Sequence, residues 1–147
     1  MDIRRRLAER HPDAFAPDLA ASLTNLSAHL AALGRLEEAL AAIAEAAGIY
    51  RRLAERHPDA FEPDLALSLV VQGSILAALG RTKDAHRTFV EALQILRPYF
   101  LKLPRVHAEL MKILVEDYER ACRDLGREPD GELLAEIVPV LERLGLR

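Results

Sequence analysis

The sequence repeats itself every 46 residues, and this period constrains the fold more than any single motif does. Residues 5–15, RRLAERHPDAF, recur letter for letter at 51–61, PDLA at 17–20 returns at 63–66, and LAALGR at 30–35 returns at 76–81. Positions 5–50 and 51–96 share 27 identities in 46. A third copy is worn but in register: Pro12, Pro58 and Pro104 keep the spacing, as do Gly34, Gly80 and Gly126, each followed by arginine (Arg35, Arg81, Arg127). A short unit repeated in this way cannot bury its apolar face alone, so successive units have to stack.

Each unit reads as two helices. From about Pro17 to Leu33, the leucines Leu19, Leu23, Leu26, Leu30 and Leu33 fall on one stripe at spacings of three and four, the helical period. Gly34 ends this helix as a residue free to take the left-handed conformation. A second helix from Leu36 keeps Ala39, Leu40, Ile43, Ala46, Ile49 and Leu53 on one face until Pro58 stops it. At 1.5 Å per residue, the span 36–56 is roughly 31 Å long. The pattern returns in Leu65, Leu69, Leu76 and Leu79, then in Ala85, Phe89, Ala92 and Ile95. The third unit offers Leu110, Leu114, Tyr118 and Leu125, and a last helix from about Gly131 to Leu144. Pro98 is expected to kink or shorten the second long helix, and Pro139 the last one. Ala39, Ala46, Ala85 and Ala92, seven apart within their helices, let neighbouring backbones approach. A glycine turn of one or two residues makes the paired helices antiparallel. The expected fold is all-α: an α-α superhelix, or solenoid, of about three antiparallel pairs. Its units are 17–62, 63–108 and 109–147, preceded at 1–16 by the tail of an earlier second helix.

Composition agrees. Half of the residues are apolar and dominated by alanine and leucine, which favours helix. A net charge of −3 with 29% charged residues leaves no electrostatic footprint for nucleic acid. Arg4-Arg5-Arg6 and Arg51-Arg52 share their stretches with Glu9 and Glu55, and read as solvated faces. No stretch approaches about 18 uninterrupted apolar residues, so no membrane span is expected. The single cysteine, Cys122, lies in an apolar run, reads as a core residue, and suits a reducing, cytoplasmic setting.

Leu23-x2-Leu26-Ser27-x2-Leu30-x3-Gly34-x4-Ala39-x3-Ile43-x2-Ala46 resembles a tetratricopeptide repeat. The second unit matches through Leu69, Gly73, Leu76, Gly80, Ala85, Phe89 and Ala92, with Gln72 at a normally apolar position. The third matches through Val115, Tyr118, Cys122 and Gly126, then departs with Pro129 and Gly131. The period exceeds the family's usual one of about 34 residues. The surplus of about 12 is expected after the second helix, in YRRLAERHPDAF, as in the long repeats of bacterial multidomain proteins. That resemblance implies a protein-interaction scaffold or sensor within a larger signalling protein, with no cofactor and no metal. It also implies a concave partner-binding face on the first helices. Carried over by position, that face comprises Thr24, Asn25, Ala28 and Ala31; Val70, Val71, Ser74 and Ala77; and Glu116, Asp117, Arg120 and Arg123. Val70 and Val71 fit a groove floor and a helix-packing surface equally well.

Two alternative readings stand beside this one: a purely self-assembling structural repeat, and a co-chaperone, because His57-Pro58-Asp59 also resembles the signature of J-domain co-chaperones. Against the co-chaperone, the tripeptide recurs as His11-Pro12-Asp13, becomes Leu103-Pro104-Arg105 in its third copy, and is followed by Ala60-Phe61 where lysines belong. No site for catalysis emerges. His29, His86 and His107 occupy unrelated repeat positions, and the serines Ser22, Ser27, Ser68 and Ser74 lack a nucleophile-elbow context. The opening segment, aligned with 47–56, presents Ile3 and Leu7 without an earlier partner helix, which predicts self-association through that end.

Overall fold

The computed structural model describes residues 2–10 and 12–147, and of Ala8, Arg10, Pro12 and Asp13 the backbone only. Its described residues form helices and turns. In order these are α1 (Asp2–Arg10), α2 (Pro12–Ala32), α3 (Leu36–Arg56), α4 (Pro58–Ala78), α5 (Thr82–Lys102), α6 (Pro104–Asp124), α7 (Gly131–Leu134) and α8 (Ile137–Arg143). The five long helices α2 to α6 each have 21 residues; α2 to α5 each pack chiefly on the helix before and the helix after, and α6 packs chiefly on α5.

The two kinds of connection alternate. After α2, α4 and α6 the chain turns at Gly34, Gly80 and Gly126, with φ of 78°, 79° and 66°. At the first of these, the N–H of Gly34 donates to Ala31 O (3.0 Å) and that of Arg35 to Leu30 O (2.9 Å). This is the paired 5→2 and 6→1 closure of a Schellman turn, and it requires the left-handed residue. Gly145, φ 74°, closes α8 in the same way.

The second kind of connection differs from the sequence expectation. Pro58 does not follow a stop; it is the first residue of α4. His57 alone separates α3 from α4: its N–H donates to Leu53 O (2.9 Å), and its own carbonyl accepts from Ala60 and Phe61. Proline suits this position, because its missing N–H would have no helical acceptor there. The first helices therefore start five residues earlier than expected, and Pro17 and Pro63 lie inside them. The long period is divided between both helices of the pair, not placed after the second. Nor does Pro98 shorten α5, which runs on to Lys102. The last helix, by contrast, is broken into α7 and α8. The break falls at Ala135 and Glu136, where the ring of Pro139 would meet the carbonyl four residues back.

The core lies between the helices at the positions the small residues define. Ala39, Ala46, Ala85 and Ala92 are all fully buried, as are Ile43, Phe89, Leu93, Leu96 and Cys122. The stripe on α2 is rotated from the expected one: Leu19 and Leu23 are buried, Leu26 and Leu33 are exposed, and Ser27 is buried instead. Ser27 Oγ donates to Ala39 O on α3 at 2.9 Å, so the buried hydroxyl is satisfied between α2 and α3. The arginines of the repeated segment are not merely solvated. Arg5 pairs with Glu45 and Arg51 with Glu91 (2.5 Å), joining each second helix to that of the next unit, and Arg97 pairs with Glu136 (3.1 Å) at the break between α7 and α8. Among the described helices α4 is long and apolar enough to cross a membrane, with a mean hydropathy of 1.2, and it is packed between α3 and α5.

Candidate functional site

The first helices α2, α4 and α6 share one side of the molecule, and on that side they leave an apolar trough of about 510 Å³. Its floor and walls come mainly from α4, where Leu67, Val70, Val71, Ser74, Ile75 and Ala78 recur at helical spacing. Ala31 and Leu36 close one margin, and Leu110 and Ile113 of α6 close the other. Leu67 and Ile113 stand at 43% and 47% exposure, high for side chains of this size in a lined recess. Apolar side chains left partly wet within a concavity are the usual mark of a contact surface.

At its α6 side the trough continues into a polar corner. Ser74 Oγ donates to Val70 O (3.0 Å) and reaches Asp117 Oδ2 at 3.4 Å, while Arg120 Nη1 lies 3.3 Å from Asp117 Oδ1. Burial pushes the Asp117 carboxyl above the usual carboxylate range, against the opposing pull of Arg120 and the Ser74 hydroxyl. The arrangement can accept and donate hydrogen bonds at one end of an otherwise apolar surface.

The residues assigned by position divide accordingly. Val70, Val71 and Ser74 line the trough, and Asp117 and Arg120 form its polar corner with Ser74. Val70 is nearly buried and acts as floor, so both readings of the valine pair hold in part. Thr24, Asn25 and Ala28 do not line the trough; Thr24 Oγ1 is spent on Ala20 O, one turn back (2.9 Å). Of the unit-one residues assigned by position only Ala31 lines it, joined by Leu36. Leu67 and Ile113 escaped the positional reading, although one signal was present. They share a repeat register with Ala21, off the buried stripe, and a large apolar residue there has no core to enter.

His57-Pro58-Asp59 serves the turn between α3 and α4. His57 is exposed, with its ring 6.4 Å from that of Phe61, and the helix begins at the very next residue. His11 lies outside the described residues. No family model matches the chain, no curated protein matches it, and no solved structure matches it.

Proposed function

We propose that the chain is a protein-interaction module built of tetratricopeptide-like helix pairs in a superhelical array, the scaffold or sensor portion of a larger cytoplasmic signalling protein of bacterial type. It acts by binding and not by turnover. The observation that carries this reading is the trough across α2, α4 and α6, because it draws on three successive units and is lined by partly exposed leucine, valine and isoleucine. The repeat register of Leu23, Gly34, Ala39 and Ala46 with their counterparts supports the tetratricopeptide-like part. The chemistry suits an amphipathic helix that lays an apolar stripe into the trough and ends on the Ser74–Asp117–Arg120 corner.

A panel of amphipathic helical peptides, with leucine and phenylalanine on one face, tests this by fluorescence anisotropy. Binding by at least one, weakened about tenfold or more by Leu67→Glu or Ile113→Glu with an unchanged melting temperature, is the expected result. Binding indifferent to both substitutions overturns the assignment of the trough.

A second reading, self-association through α1, is favoured by Ile3, which stands 74% exposed on that helix. It predicts a mass by light scattering that rises with concentration and returns to one chain in Ile3→Glu. A monomer throughout removes it.

A further inference from the structure

The one-residue turn between α5 and α6 breaks the pattern of its counterpart in three ways. Where the earlier turn reads His57-Pro58-Asp59-Ala60, this one reads Leu103-Pro104-Arg105-Val106. The backbone is the same: φ and ψ are −135° and 71° at His57, and −131° and 71° at Leu103. The side chains are not. Leu103 and Val106 stand 53% and 69% exposed, so the substitutions place two bulky apolar groups in solvent without giving them a core.

The charge reverses as well. Asp59 sits in the first turn of α4, where the helix dipole favours an acid; Arg105 sits in the first turn of α6, where it disfavours a cation. A residue that breaks a local rule with no compensating contact is the kind expected at a functional surface. Arg105 borders a recess of about 360 Å³, together with Lys102 at the end of α5 and Arg143 at the end of α8. Leu103, Pro104, Val106, Val140 and Leu144 supply its apolar lining. Arg143 occupies the register of Arg5, Arg51 and Arg97, each of which meets a glutamate. Among the described residues none of Lys102, Arg105 and Arg143 has a carboxylate partner within ion-pair distance.

We propose that this recess is a second docking surface, distinct from the trough, for an acidic protein segment whose carboxylates flank bulky apolar side chains. Three unpaired cations around an apolar hollow complement that chemistry in both charge and shape. They fall short of the clusters of four to eight that read as a site for anionic lipid surfaces, which favours a peptide over a membrane.

The test is fluorescence anisotropy on the full chain with a labelled peptide, Glu-Glu-Leu-Phe-Asp-Glu-Leu-Leu, and its counterpart bearing glutamine and asparagine in place of the acids. The acidic peptide is expected to bind, to weaken as salt is raised, and to exceed its neutral counterpart by about tenfold. Arg105→Asp, which restores the residue of the earlier turn, is expected to lower affinity by about tenfold and Arg143→Gln by less, both with unchanged circular dichroism. Leu67→Glu is expected to leave this binding unaltered, so failure here is separable from failure of the trough. Equal binding of the two peptides overturns the proposal, as does loss on Leu67→Glu without loss on Arg105→Asp. So does Arg105-dependent co-sedimentation with phosphatidylserine vesicles in the absence of peptide binding, or an Arg105-dependent doubling of mass in its absence.

Discussion

Units one and two differ most instructively where α2 meets α3 and α4 meets α5. In the first pair Ser27 faces the side of α3 that carries Ile43; at the same register in the second, Gly73 faces Phe89. A Cβ added to Gly73 would lie 2.4 Å from Phe89 Cε1, so the ring occupies the place of a side chain on α4. Serine with isoleucine and glycine with phenylalanine fill the same interval with different divisions of volume. The repeat thus holds the summed size of facing residues and leaves each partner free, which is how close-packed interiors constrain sequence.

Breaking that match gives the largest expected effects. Phe89→Ala should cost about 3–5 kcal/mol in chemical denaturation, since Gly73 offers nothing to refill the space. A loss smaller than that of Ile43→Ala would contradict the division of volume described here. Gly73→Ala should cost about 1–3 kcal/mol through overpacking. Combined as Gly73→Ser with Phe89→Ile, the unit-one pairing, the second unit should recover most of that stability. Strict additivity of the two changes would show that they do not share one space. In unit one, Ser27→Ala should cost only about 0.5–1.5 kcal/mol, the worth of its bond to Ala39 O.

A second contrast lies at the far ends of the same pairs. Tyr99 on α5 donates its hydroxyl to Glu62 (2.6 Å) and approaches Asp59 (3.3 Å); the corresponding residues of unit one are Leu53 and Ala16. Burial, then the bond to Glu62, pushes the Tyr99 phenol far above its ordinary 10.0. Burial also raises Tyr50 and Tyr118. The folded chain therefore holds these protons more tightly than the unfolded one. Their contribution is complete below pH 10 and is lost progressively as pH rises beyond it. Replacing Tyr99 and Glu62 by leucine and alanine should flatten the alkaline limb of the stability curve. An unchanged limb would remove Tyr99 as its origin.

The smallest effect concerns the arginine–glutamate rungs. Arg51→Ala should cost about 0.2–1 kcal/mol, and less at high salt, because both side chains remain partly exposed. A larger, salt-insensitive loss would mean that the Arg51 stem contributes by packing on α5.

Much of this was legible in the sequence because the signals were periodic. The glycine turns followed from Gly34, Gly80 and Gly126, and the close helix contacts from Ala39, Ala46, Ala85 and Ala92. The helix starts were not, because proline reads equally as the end of one helix and the first residue of the next. Pro17, Pro63 and Pro98 each remove one backbone bond, which weakens a helix without ending it when packed turns follow. The trough was half legible. Val71 and Ser74 follow from position within the unit, whereas Leu67 and Ile113 share a register off the expected stripe, and the orientation of α4 against α5 is what makes that register the face left over. Leu26 was misplaced in the core because spacings of three and four allow two adjacent stripes. The hydroxyl of Ser27, bonded to Ala39 O, takes the inner one.

Equal helices joined alternately by a glycine turn and by a single residue have a consequence for how such a chain can change length. A piece cut after Arg35 and again after Arg81 contains 46 residues and begins and ends at equivalent points of the same glycine turn. Copying or deleting that piece would add or remove one helix pair and leave every remaining turn as it was. An array of this kind can gain or lose reach by whole units in one step, whereas a single-residue insertion at His57 would have nowhere to go.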